Sequence, residues 1–308
     1  MPLQFKFLRW GDWLIQKKLS IILAPIAMIW GLCSQLRNTL YDRGWLPIHR
    51  VPALVVSIGN LSAGGNGKTP FVLLLAKQFP HRKIAILSRG YGASTGLNDE
   101  MQLIQRHLPQ ARLYQDPDRV QAAKQAVADG AELILLDDGF QHRRLYRDFD
   151  LVLVHPNDPE DHYLPWGRLR DSYKSLARAE PIDIRFLETH VTGLFNQKGQ
   201  KIPSIRGERV ALFCGIGRPE RFKKTVESLG AIVCSETILA DHEPLKKIPN
   251  LLNIKYLLCT EKDFLKLPPT DLPLLYVAIE TAISPAFTRW QMLIEKIDQR
   301  LNNLYRYG

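Results

Sequence analysis

Two groups of residues in this sequence have the types and spacing needed to hold a phosphate chain. The first is Ser62-Ala63-Gly64-Gly65-Asn66-Gly67-Lys68-Thr69, followed by Pro70. Gly64, Gly65 and Gly67 open backbone torsions closed to other residues, so successive N–H groups can turn toward an anion. Lys68 can reach the outer phosphates of a nucleotide, and Thr69 can offer its hydroxyl to Mg2+. The pattern G-x-x-x-x-G-K-[ST] asks for glycine where Ser62 stands, a departure that costs little if that position keeps a negative φ. The second group is Asp137-Asp138, which closes the run "LILLDD". A phosphate loop needs an acid at the end of a neighbouring strand to help hold Mg2+. Two adjacent carboxylates repel unless a cation or proton intervenes. Together the groups predict a nucleotide site with ATP and Mg2+ as its ligands. The plainer readings are a tight turn at 62–69 and an acidic turn at 137–138.

These residues need elements to carry them. "ALVVSIG" (53–59) is a strand candidate feeding the loop, and a helix over 68–79 would bring its N-terminal partial positive charge to the phosphates. Pro70 is tolerated early in that helix because its missing N–H would have no partner there. Further strands are expected at 83–88, 133–138 and 149–154, with helices over 100–108 and 118–129 between them. Such alternation predicts an α/β fold: a P-loop NTPase-like parallel sheet over 48–188. "THVTGLFNQKGQKIPSIRG" (189–207) interrupts the rhythm and is expected to form a two-stranded linker about Lys198-Gly199. The alternation resumes over 208–284 as a second, smaller α/β domain, and 285–308 reads as an amphipathic C-terminal helix.

The first 47 residues form a different kind of segment. Leu19–Leu36 runs without a charge between Lys18 and Arg37. Seven Lys or Arg fall within residues 1–50 against Asp12 and Asp42, so half of the net charge of +10 sits there. Trp10, Trp13, Trp30 and Trp45 lie in the same stretch. Basic residues and indoles flanking an apolar run suit a lipid headgroup zone. The expectation is a helix dipping into or lying on a membrane, with membrane lipids as partners and the remaining domains on the cytosolic side; the alternative is a buried core helix. The four cysteines show no C-x-x-C pairing, which argues against a zinc site or disulfide frame. The positive excess lies beside the apolar run and forms no aromatic-laced basic face, so nucleic acid is not expected as a partner. No protein partner is predicted.

Beyond the phosphate loop, "SRGYG" (88–92), Asp99-Glu100, "DPDRV" (116–120), "DDGFQH" (137–142), "GRLR" (167–170), "CGIGRPERF" (214–222), "DH" (241–242) and "TEKD" (260–263) follow in order. In this order they resemble the tetraacyldisaccharide 4'-kinase family, the lipid A 4'-kinases of Gram-negative bacteria, over nearly the whole chain. The resemblance implies transfer of the γ-phosphate of ATP to the 4'-hydroxyl of a lipid disaccharide 1-phosphate at the inner membrane. It points to Asp99 as general base with His242 as its partner, and to Lys68 in catalysis. Glu100 is a further Mg2+ contact candidate beside Thr69, Asp137 and Asp138. Gln141 joins residues 62–69 on the nucleotide, and Arg89, Tyr91 and Arg170 are acceptor-side candidates. The family has glycine before the acidic pair and proline after it, where this chain has Asn98 and Met101. From the residues alone, Asp99 would read as a helix cap and His242 as a loop histidine.

Two other functions fit part of the pattern. A nucleotide switch recruited to membranes would carry a lysine where Ala63 stands. A soluble ATP-dependent synthetase would have no need of the apolar front end.

Overall fold

Short apolar runs become strands in two six-stranded sheets, one in each of two units. The structure, a computed structural model, describes residues 10–64, 67–90, 96–215, 219–238, 253–264, 267 and 272–305, with the backbone alone for 10–22. In chain order the first elements are α1 (Trp10–Asp42), β1 (Leu54–Asn60), α2 (Lys68–Ala76), β2 (Ile84–Ser88) and α3 (Asp99–His107). Then come β3 (Arg112–Gln115), α4 (Arg119–Ala128), β4 (Leu133–Asp137), β5 (Phe149–Val154) and β6 (Glu180–Asp183). They are followed by β7 (Leu187–Asn196), β8 (Lys201–Ile202), β9 (Arg209–Cys214), α5 (Pro219–Ser228) and β10 (Ile232–Ile238). Last are β11 (Tyr256–Thr260), α6 (Glu261–Phe264), β12 (Leu274–Ile283) and α7 (Trp290–Tyr305).

One unit comprises Pro2–Gly90, Leu108–Leu187 and Ile283–Gly308. Its sheet runs β3-β2-β4-β1-β5-β6, and all five pairings are parallel. β1 and β4 are buried along their whole length, as central strands of a covered sheet must be. Val55, Ala85, Leu87, Ile134 and Leu136 pack against Ala122, Ala123 and Ala126 of α4. Because β4 separates β1 from β2, the loop after β1 opens where the strand order reverses. That place favours ligands in open α/β sheets. The register sets Ile58 opposite Asp137, so the loop and the acidic pair leave adjacent strands at the same level. β3 and β6 were not expected. Both are edge strands: β3 is short and only half-buried, and β6 contains Pro181, which a sheet edge accommodates.

α1 packs on this unit through a stripe of small residues. Ala27, Gly31, Ser34 and Asn38 recur at helical spacing. Gly31 lies so near the Tyr163 ring that an added Cβ would come within 2.6 Å of it. Ser34 Oγ and Asn38 Nδ2 donate to Oδ1 of the fully buried Asp171, at 3.2 and 2.8 Å. The other side of the helix leaves Ile26, Met28, Ile29, Leu32 and Leu36 exposed. Among the described residues, no helix is long and apolar enough to cross a membrane. The uncharged run 19–36 is the middle of a 33-residue helix with a docked face and an exposed apolar face.

The other unit comprises Tyr91–His107 and Glu188–Ala282. Its sheet order is β10-β9-β11-β12-β7-β8, with β9 to β12 pairing in parallel. β7 and β8 form an antiparallel hairpin about Gly199, and Asn196 Oδ1 accepts the N–H groups of Lys198 and Gln200 at 2.9 Å. β7 thereby extends the sheet instead of standing apart from it. The units interleave in sequence where continuous spans were expected: α3 groups with the second sheet, and the C-terminal helix α7 with the first.

Candidate functional site

The phosphate loop is shaped by its neighbours before any ligand is considered. Ser62 pairs in an antiparallel bridge with Leu169, Ala63 N–H donates to the Arg168 carbonyl at 2.7 Å, and Arg170 N–H donates to the Leu61 carbonyl at 2.7 Å. The loop's incoming limb is thus extended backbone pinned to "GRLR". An extended position has no use for glycine, which explains Ser62 at the first Walker position. Gly67, by contrast, has φ 78°, the left-handed conformation that turns the chain into α2. Gly67, at the N-cap of α2, has no side chain to bond the N–H groups of the first turn, which leaves those of Lys68 and Thr69 suited to an anion. Gly65 and Asn66 lie outside the described residues.

Side chains from β1, α2, β4 and the 167–170 segment converge at this point. Thr69 Oγ1 donates to Asp137 Oδ2 at 3.1 Å. Lys68 Nζ lies 3.4 Å from Asn60 Oδ1 and 3.6 Å from Asp138 Oδ1. Arg170 grips Asp138 with two parallel hydrogen bonds, 2.8 Å to Oδ2 and 2.7 Å to Oδ1, and also donates to Asn60 Oδ1. Gln141 Nε2 donates to the Asn60 carbonyl at 3.0 Å. Asp138 itself has φ 58°, a left-handed turn that sends its carboxylate away from that of Asp137. Burial acts to raise its pKa, but the Arg170 hydrogen bonds, with Lys68 and Arg119 near, hold it well below the usual carboxylate range. Burial and the nearby Arg119, Arg147 and Arg144 push the His142 imidazole down to about 4, which leaves it neutral near pH 7.

Two residues at the centre were quoted in motifs but given no role from sequence. Asn60, fully buried, ends β1 and joins Lys68, Arg170 and Gln141. Arg119, 3% exposed, opens α4 behind the Asp118 cap and donates from Nη2 to the Asp137 carbonyl at 3.0 Å. The available signal was a polar side chain at the end of an apolar strand, and an arginine just inside a capped helix.

Thr69 and Asp137 offer hard oxygens at a separation that suits Mg2+, an ion that keeps waters and phosphate oxygens alongside one or two protein ligands. Among the described residues, no group of three or more His, Cys, Asp and Glu could hold a metal. The donors therefore fit a cation shared with a bound phosphate, and do not form a protein cage.

The remaining candidates are dispersed. Arg89 follows β2 in the first unit, exposed and close enough to Arg119 to depress its pKa alongside the larger effect of burial. Asp99 and Glu100 open α3 in the second unit. The cap there is Asn98, whose Oδ1 accepts the Met101 N–H at 2.9 Å, so Asp99 is the first helical residue and not the cap. Glu100 accepts a hydrogen bond from Lys262 Nζ at 2.6 Å. Tyr91 and His242 lie outside the described residues.

Comparison with known proteins gives this arrangement a context. The family model described as tetraacyldisaccharide-1-P 4'-kinase matches residues 19–298. The tetraacyldisaccharide 4'-kinase of Anaeromyxobacter dehalogenans is 34% identical, covering 77% of this chain and 78% of its own. That of Aquifex aeolicus is 31% identical, covering 80% and 89%. A crystal structure described as the "apo" form of LpxK from Aquifex aeolicus in complex with ATP matches with a TM-score of 0.77 and 26% identity, covering 93% of this chain and 99% of that one.

Proposed function

The chain belongs to the tetraacyldisaccharide-1-P 4'-kinase family, and from that premise we propose how it works: as an ATP-dependent kinase that phosphorylates the 4'-hydroxyl of tetraacyldisaccharide 1-phosphate in lipid A synthesis. The observation that carries the reading is the pairing of Thr69 with Asp137 and of Lys68 with Asp138 where β1 and β4 end side by side.

Phosphoryl transfer asks mainly for positioning and charge neutralisation. Lys68 and the uncapped N-terminus of α2 bind the β- and γ-phosphates of ATP. Thr69 and Asp137 are the residues that would hold Mg2+, which when bound offsets negative charge on the transferring group. Arg170 keeps Asp138 ionised and fixed, and Asn60 keeps Lys68 and Arg170 in register. Gln141, held on the Asn60 carbonyl, borders the nucleotide. Asp99 takes the proton of the acceptor hydroxyl, with His242 as its partner. Arg89, Tyr91 and Arg170 serve the acceptor's 1-phosphate and sugar.

The acceptor carries acyl chains, and α1 suits the surface in which they sit. Its exposed Ile26, Met28, Ile29, Leu32 and Leu36 would enter the headgroup boundary of the inner membrane from the cytosolic side, as an interfacial helix and not a span.

Transfer of labelled γ-phosphate from Mg·ATP to purified tetraacyldisaccharide 1-phosphate in detergent micelles tests the proposal. A labelled bisphosphorylated lipid is expected, absent with Lys68→Ala. A folded, ATP-binding protein that labels no lipid would refute it.

A further inference from the structure

α3, which begins with Asp99, is gripped at two points by the turn that follows β11. That turn is tied back to the end of β9: Asp263, 2% exposed, accepts the Gly215 N–H at 3.0 Å and the Thr260 hydroxyl at 2.6 Å. From this base Lys262 Nζ reaches Glu100 Oε1 at 2.6 Å. The neighbouring Glu261, 7% exposed, meets His107 Nε2 at 3.0 Å and Arg106 Nε at 3.4 Å. Arg106 in turn bonds the Tyr276 hydroxyl and lies 4.7 Å from the centre of its ring.

Glu100 and His107 are seven residues apart, two turns on one face of α3, so the contacts lie about 10 Å apart along its axis. A single contact would locate the helix and leave it free to swing. Two contacts of this separation also fix its tilt and its rotation. The contact nearer to Asp99 is the one made by Lys262, one residue away. Both members of that ion pair are partly exposed, 19% and 24%. Such pairs contribute little to folding, so their geometric consequence exceeds their energetic one.

We propose that Lys262 is a positioning residue for phosphoryl transfer: by holding Glu100 it sets the orientation of the first turn of α3 and so of the Asp99 carboxylate. The proposal rests on the reading of Asp99 as general base. It gives Glu100 a structural partner in place of a metal. The phosphate loop belongs to the other unit, so loss of this grip acts on the chemical step and leaves ATP binding alone.

Steady-state kinetics with melting midpoints test it, using full-length wild type, Lys262→Met, Lys262→Arg, Glu100→Gln, the Lys262→Met/Glu100→Gln double variant and Asp99→Ala. Misplacement of a reacting group by about 1 Å costs up to ~100-fold. Lys262→Met is therefore expected to lower kcat by about 10- to 100-fold, with KM for ATP changed less than about twofold and the midpoint within a few degrees. Lys262→Arg restores kcat to within about threefold, and the double variant loses no more than the worse single one. A Lys262→Met kcat within about twofold of wild type, or fully additive losses in the double variant, would overturn the proposal. If Asp99→Ala is inactive in the same series, the base reading survives that failure. If Asp99→Ala turns over normally, the base reading falls and takes this proposal with it.

Discussion

Arg170 and Asp138 are joined by two parallel hydrogen bonds, and this pairing divides two adjacent carboxylates into different tasks. Asp137 turns to the Thr69 hydroxyl, while Asp138, on a left-handed backbone, turns to two cations. Repulsion between neighbouring acids is thereby resolved by geometry and counter-charge. Lysine cannot reproduce the two parallel donors of a guanidinium. Arg170→Lys is expected to lower kcat/KM by about tenfold or more, as the loss of one charge-assisted hydrogen bond predicts. Wild-type kcat/KM in that variant would show the clasp to be dispensable.

Asp99→Ala should separate chemistry from nucleotide binding. Loss of a general base lowers kcat by about 10²- to 10⁴-fold. The phosphate loop proposed to bind ATP belongs to the other unit, so KM for ATP should stay within about twofold. Measuring both constants for the variant checks this, and an unchanged kcat would move the base elsewhere.

His142 gives the fold a pH dependence of predictable sign. Its imidazole is pushed from 6.5 down to about 4 in the folded protein. Between those values the unfolded chain binds the extra proton, so this contribution is fully present above pH 6.5 and fades as pH falls toward 4. At about 1.4 kcal/mol per pKa unit the shift bounds this contribution at roughly 3 kcal/mol, and solvent screening of the half-buried imidazole brings it well below that bound. Urea denaturation across pH 4–7 should show this decline, and His142→Gln should flatten it. An equal slope in the variant would refute the assignment.

The exposed face of α1 should govern association with lipid while the docked face stays intact. Ile29→Glu with Leu32→Glu removes two large apolar side chains from the exposed face and leaves Ser34 and Asn38 on Asp171. Burying each such side chain contributes roughly 1.5–3 kcal/mol. Sedimentation with anionic vesicles should therefore fall by at least about tenfold, against a thermal midpoint close to that of wild type. Undiminished sedimentation would place the anchoring surface elsewhere on the protein.

What the sequence determined by itself was local. The loop after β1, the start of α2 at Lys68 and most central strands follow from glycine torsions, a helix start and runs of four or more apolar residues. Each of those signals is complete within about ten residues of chain. β3 and β6 escaped because sheet edges need neither an apolar run nor a full ladder of donors.

Tertiary structure decided everything that depended on which strand lies beside which. Thr69 finds Asp137 across 68 residues of chain, and Arg170 reaches back 110 residues to Asn60. The grouping of α3 with the second sheet likewise follows from Glu261 and Lys262, more than 150 residues downstream. No periodicity encodes such meetings. They arise because burying the apolar faces of the strands selects one strand order and one register, and that choice places the polar residues at the strand ends together.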